Sequence, residues 1–181
     1  ITSADQIPRS NKMLVQQYIP NPLTVDGFKC DIRVYVMVTS WDPLRVYINE
    51  DGLVRFATQK YKAGPKYYKR KHAHITNYST NKQSKNFVES TSESQGSKWS
   101  LQAFRRWLRE VKGVDDDEVW EDMKDQCIRT IMATEGRQYQ MYKQAEATGK
   151  CYEVWGFDRE SLQRSIRRPA GMCASHSVQH H

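Results

Sequence analysis

Long apolar runs are absent from this chain of 181 residues, whose mean hydropathy is −0.81. No stretch approaches the roughly 18 apolar residues of a membrane-spanning helix. Residues 1–11 also lack the apolar centre of a signal peptide. Cysteine is scarce. Cys30, Cys127, Cys151 and Cys173 include no pair at the spacing of a zinc knuckle or a redox CxxC, so reduced thiols are expected. His72 and His74 form an HxH and His180 with His181 ends the sequence, without further ligands at useful spacing for a metal. The phosphate-loop GxxxxGKS/T, the dinucleotide GxGxxG and the hydrolase GxSxG are all missing. Acids are outnumbered, 21 against 28 Lys and Arg, for a net charge of +7. No methionine starts the sequence and Met13 is the first, so the expectation is part of a larger domain, cut at both ends.

Aromatic residues are plentiful, with 5 Trp, 10 Tyr and 5 Phe, which excludes a disordered chain. The basic excess is local. Lys60, Lys62, Lys66, Lys69, Arg70 and Lys71 fall in one acid-free segment with Tyr61, Tyr67 and Tyr68 between them, while 115–125 is acidic. Such a segment suits an acidic partner: nucleic acid, an anionic membrane surface or an acidic protein segment. No DNA- or RNA-binding motif accompanies it.

Residues 29–40 alternate as a strand, with Ile32, Val34, Val36 and Val38 on one face and Arg33, Tyr35 and Met37 on the other. A turn at Trp41-Asp42-Pro43 follows. Strands over 45–49 and 53–58 then flank Glu50-Asp51-Gly52, which reads as a hairpin turn with Gly52 at φ > 0, giving a three-stranded antiparallel meander. Residues 82–96 have no period and are expected to be a flexible connection. Leu101, Phe104, Leu108 and Val111 mark a helix capped by Ser100 and ended by Gly113. A second helix opens on Asp115, Asp116, Asp117 and Glu118, with Val119, Met123, Cys127 and Ile131 as its core stripe. Residues 151–157 read as a short buried strand stopping near Gly156. The fold class is α+β, an antiparallel sheet packed with helices. From 159 onward no apolar period remains, so 159–181 is expected to be a divergent, disordered tail after a domain over 1–158.

Three clusters have chemical potential. Lys29, Asp31 and Arg33 project from one strand face, which is costly unless they pair with each other or meet a charged ligand. Arg55 sits where it can join them. Thr76 and Asn77 follow Ile75 at the end of an expected strand, as caps or as polar contacts. Asp158 ends the last strand, either as a turn residue or as an oxygen ligand for a hard cation.

The order of these segments resembles the tubulin tyrosine ligase-like family of ATP-grasp ligases. VQQYIPNP (15–22), DGFKCDIRVYVMVTS (26–40), DPLRVYINEDGLVRFAT (42–58), HITNYSTNK (74–82), GSKWSL (96–101) and CYEVWGFD (151–158) carry it, and their wording is similar to the glutamylase branch. The resemblance implies a partial ATP-grasp fold. It places Gln16, Gln17, Tyr18 and Ile19 beside an adenine, and Lys29, Cys30, Asp31, Thr76 and Asn77 against the nucleotide. Arg33 then faces the terminal phosphates as a catalytic residue. Arg55, also catalytic, stands between phosphate and incoming amino acid. Tyr78 and Lys98 join Arg55 as amino-acid contacts, and Asp158 is a magnesium ligand. ATP and Mg²⁺ are the implied cofactors. The implied reaction joins glutamate, through an acyl phosphate, to glutamate side chains of acidic tubulin C-terminal tails. Microtubules are then the partner and the cytoplasmic cytoskeleton the location, with cilium or basal body as a further place. Neither nucleic acid nor membrane is implied.

The departures matter equally. Arg159-Glu160-Ser161-Leu162 follows Asp158, and the Glu-x-Asn that completes the family's magnesium set does not occur after it. A glycine-rich segment and phosphate-covering lysine are also missing upstream. The 181 residues alone are therefore expected not to turn over. The alternative reading is a catalytically dead, truncated product that only binds acidic tubulin tails.

Overall fold

The computed structural model describes residues 7, 15–145, 151–160 and 177–179. Its centre is two long antiparallel strands, β2 (Phe28–Trp41) and β3 (Leu44–Lys60), turned at Asp42-Pro43. β1 (Thr24–Val25) precedes β2 through Asp26-Gly27, whose φ values of 51° and 85° make a tight two-residue turn. The Asp-Gly pair is a hairpin signal in the sequence itself. After β3, a 3₁₀ turn (Pro65–Tyr67) and two single-turn helices, α1 (Lys71–His74) and α2 (Tyr78–Asn81), cross the end of the sheet. β4 (Lys98–Ser100) pairs with β3 and leads into α3 (Leu101–Lys112) and α4 (Asp116–Gln144). β5 (Glu153–Arg159) pairs with the other edge of β2, and β6 (Ser177–Gln179) pairs with β5. The order is β4-β3-β2-β5-β6, with β1 beside β2.

Alternation decides which face is core. Cys30, Ile32, Val34, Val36 and Val38 of β2 are buried with Val54 and Phe56 of β3 and Trp155 and Phe157 of β5. Leu101, Phe104 and Leu108 of α3, and Trp120, Met123, Cys127 and Ile131 of α4, cover that face. Ser100 accepts from the Ala103 N–H at the start of α3, and Gly113 ends it at φ 62°. Asp115 caps α4 through the Asp117 and Glu118 N–H groups. Both helices lie where expected, but Val111, expected in the core stripe of the first, is exposed. The opposite face of β2 carries the charged side chains Lys29, Asp31 and Arg33, of which the first two are buried.

The meander is corrected. Glu50-Asp51-Gly52 lies inside one continuous β3, and a bulge absorbs the extra residues between Val34↔Gly52 and Val36↔Ile48. Asp51 is recruited elsewhere: its Oδ1 accepts from Leu101 N at 3.1 Å and so ties the bulge to the start of α3. Gly52 has no positive φ. It is glycine because a Cβ there would collide with the Arg33 carbonyl oxygen.

Three smaller expectations also change. Thr76 and Asn77 link α1 to α2 and end no strand. Residues 82–96 lack regular structure but are stitched to β4, with Ser97 N to Val88 O at 2.9 Å and Ser90 Oγ to Lys98 O at 2.7 Å. β5 continues past Gly156 to Arg159, and only Trp155 and Phe157 in it are buried. Of the tail expected over 159–181, residues 161–176 and 180–181 lie outside the described residues.

Candidate active site

The register of three strands builds the charged face. Asp31 of β2 stands opposite Arg55 of β3, and Arg33 stands opposite Asp158 of β5. Both guanidinium forks are bidentate on these carboxylates or shared between them. Arg55 donates through Nε to Asp31 Oδ1 at 3.0 Å and through Nη2 to Asp31 Oδ2. Arg33 donates through Nε to Asp158 Oδ1 and through Nη2 to Asp158 Oδ2 at 2.8 Å. Arg55 Nη2 also lies 2.9 Å from Asp158 Oδ1, so the four residues form one chain of charge.

Lys29 is 2% exposed, which an ammonium tolerates only with close partners. Its Nζ donates to His74 O at 2.9 Å and to Glu160 Oε1 at 2.6 Å, and stands 5.5 Å from the centre of the Tyr18 ring. Tyr18 meets His74 Nδ1 through its hydroxyl at 2.8 Å, and Tyr61 and Tyr68 pack against the same imidazole. Burial, then Tyr61, raises the Tyr18 phenol well above its ordinary range. Burial, then Lys29, lowers His74 below its ordinary value. At Arg55, burial works against the charge, yet Asp31 and Asp158 together outweigh it and raise the guanidinium pKa. Burial likewise pushes the Asp158 carboxyl up, but Arg33 and Arg55 hold it below the ordinary carboxylate range.

The loop with Thr76 and Asn77 is pinned at both ends. Lys29 takes the His74 carbonyl, and Asn81 takes those of Ile75 (2.7 Å) and Asn77 (3.2 Å). Asn81 Oδ1 meanwhile accepts from Thr58 N and Oγ1, so a side chain 1% exposed fastens this loop to β3. Thr76 is buried and Asn77 half-buried. Lys98 pairs with Arg55 in register, and its Nζ stands 4.1 Å from the centre of the Tyr78 ring.

Most of the expected residues therefore converge: Tyr18, Lys29, Asp31, Arg33, Arg55, Thr76, Asn77, Tyr78, Lys98 and Asp158 surround one sheet face. Cys30 does not join them. Its side chain points into the core, 2% exposed, with Sγ 3.8 Å from Leu23 O, and burial followed by Asp31 pushes the thiol up to about 12. Gln16 and Gln17 are exposed, and Ile19 is half-buried. Two residues escaped the sequence reading. Glu160 follows Asp158 by two positions and hence shares its strand face, a signal that period two supplies. Asn81 had no signal beyond its amide. A cavity of about 550 Å³ lies elsewhere, on the core side, between the end of β3 and residues 86–97, with Phe28, Phe56 and Trp99 in its wall.

The tubulin-tyrosine ligase family profile matches residues 1–159, a span that holds this whole face. The chain belongs to the tubulin-tyrosine ligase family. It is 40% identical over 156 residues to the tubulin monoglutamylase TTLL4 of Mus musculus, covering 84% of this chain and 13% of that protein. It is 40% identical over 162 residues to the tubulin polyglutamylase TTLL5 of Homo sapiens, 87% of this chain and 13% of that protein. The tubulin polyglutamylase TTLL7 of Mus musculus is 34% identical over 165 residues, 87% of this chain and 18% of that protein. The chain thus spans less than a fifth of each of these relatives.

For a member of this ligase family, a polyphosphate and a divalent cation are the groups to test against the residues. The guanidiniums and Lys98 suit phosphate and carboxylate oxygens. Magnesium fits poorly. Among the described residues no three His, Cys, Asp or Glu side chains gather as a metal site, and both oxygens of Asp158 already meet guanidiniums.

Proposed function

We propose that this chain is the core of an ATP-dependent carboxylate–amine ligase, a tubulin glutamylase that adds glutamate to glutamate side chains of tubulin C-terminal tails. The observation that carries the reading is the register of Arg55, with Asp31 across one edge and Lys98 across the other, and Asp158 within 2.9 Å. One guanidinium then borders both a phosphate position and an amino-acid position. ATP supplies the phosphoryl group that activates the acceptor carboxylate as an acyl phosphate; the amine of the incoming glutamate displaces phosphate and forms the amide. Arg33 and Arg55 offset charge on phosphoryl oxygens and on the tetrahedral oxyanion. Lys98, set against Tyr78, suits a carboxylate of the incoming amino acid. Tyr18, Lys29, Thr76 and Asn77, with Gln16, Gln17 and Ile19, form the nucleotide side.

The basic segment supports an acidic acceptor. Lys62, Lys66 and Arg70 surround the Tyr67 ring at 5.7, 5.0 and 5.2 Å, an exposed cationic cluster suited to a glutamate-rich tail. Relatives named as tubulin glutamylases support tubulin as that acceptor and the microtubule cytoskeleton as the place of action. Among the described residues no helix is long and apolar enough to cross a membrane.

The test is mass spectrometry of tubulin tail peptides after incubation with the full-length protein, ATP and either glutamate or glycine. The reading expects ATP-dependent addition of glutamate to tail glutamates. Addition of glycine alone, or of neither, overturns it.

A further inference from the structure

Three cations and three carboxylates of the charged face are paired. Lys29 holds Glu160, Arg55 holds Asp31, and Arg33 holds Asp158, which Arg55 also reaches. Asp158 accepts on Oδ1 from Arg33 Nε and Arg55 Nη2, and on Oδ2 from Arg33 Nη2. A divalent cation on those oxygens would lie beside two fixed guanidiniums, whose repulsion works against it. No further carboxylate, histidine or cysteine completes a metal set among the described residues.

The site is nevertheless built to hold an anion. Arg33 lies across Gly156, where a Cβ would come within 3.0 Å of its Cδ and Nη1, so the absent side chain makes room for the guanidinium. Arg33, Arg55 and Asp158 retain 14%, 13% and 11% side-chain exposure, so the cluster is not sealed from solvent. Asp31, 4% exposed, keeps Arg55 oriented from below.

We propose that this face binds a polyphosphate directly on Arg33 and Arg55 without a divalent cation, with Asp158 as the internal counter-ion that the phosphate displaces. The inference rests on the nucleotide reading of this face and departs from it in the part assigned to Asp158. A carboxylate and a phosphate present similar oxygen spacings to a guanidinium fork, so they compete for the same N–H groups. Removing the carboxylate's charge must then strengthen phosphate binding. A metal-ligand role demands the reverse.

The test is isothermal titration of the 181-residue chain with tripolyphosphate and with ATP, each in EDTA and in excess magnesium chloride, repeated for Asp158→Asn. The expected result is binding in EDTA that magnesium does not strengthen, and about tenfold tighter binding by the variant. ATP binding tighter than tripolyphosphate would assign the site to a nucleotide, and equal binding to the phosphate chain alone. Binding that appears only with magnesium, or that Asp158→Asn weakens, overturns the inference and leaves the nucleotide reading standing. No binding of either ligand under any condition overturns both. The comparison of EDTA with magnesium on the unaltered chain decides the matter even where Asp158→Asn does not fold.

Discussion

Arg55 and Asp31 face each other across β3 and β2, guanidinium on carboxylate, with side chains 13% and 4% exposed. Removing one partner strands the other in a poorly solvated site, which costs more than the pair itself contributes. Arg55→Ala is expected to lower unfolding stability by about 3 kcal/mol. Arg55→Ala with Asp31→Asn should recover part of that loss. Urea denaturation of the single and double variants measures it, and additive losses would contradict the coupling.

Asn81 predicts a second stability effect. Its carboxamide accepts twice from Thr58 and donates to the carbonyls of Ile75 and Asn77. Asn81→Asp keeps the acceptor and loses both donations, setting a carboxylate against two carbonyl oxygens. A loss of about 3 kcal/mol is expected in urea denaturation, and hydrogen exchange should quicken over 75–81. Unchanged exchange there would contradict the role.

Gly52 carries a steric prediction. Gly52→Ala drives a methyl group into the Arg33 carbonyl and should cost about 2 kcal/mol or more. Were Gly52 a turn glycine selected for φ > 0, Asn would substitute better than Ala. The structure expects Asn to be worse, because its side chain is larger.

Stability depends on pH in two windows. His74, 6% exposed, is held below its ordinary value by burial first and Lys29 second, so the folded protein keeps it neutral where the unfolded chain takes up a proton. Stability therefore falls as pH drops below about 6.5, until the lowered folded pKa is reached. For Asp158, burial raises the pKa but Arg33 and Arg55 lower it by more. Its contribution is present above the unfolded value near about 3.9 and is lost as pH falls through the depressed folded value. Urea midpoints should decline in both windows, and His74→Gln should abolish the upper decline alone. A midpoint that stays flat between about pH 7 and pH 5 would contradict the His74 account.

What was legible in the sequence follows the range of each signal. The alternation of Ile32, Val34, Val36 and Val38 fixes which face of β2 is core, and the same parity puts Lys29, Asp31 and Arg33 together on the other. Parity also sends Cys30 inward, against its expected place beside the nucleotide. The partners were not legible. Asp158 lies 125 positions from Arg33, and only the pairing of β5 with β2 joins them. Glu50-Asp51-Gly52 misled because Asp51 serves α3, a contact that spans 50 positions and leaves no local trace. The helices were read well because Ser100, Gly113 and Asp115 act within their own turns.

The central claim is that the face around Arg55 performs ligation, and Arg55→Lys in the full-length protein tests it most directly. Lysine keeps the charge and loses the fork that meets Asp31 and Asp158 together. The measurement is ATP-dependent incorporation of labelled glutamate into tubulin, with unfolding of the variant followed in parallel. The account predicts a fall of about 100-fold or more in incorporation by a variant that remains folded. Incorporation at the unaltered rate would contradict it.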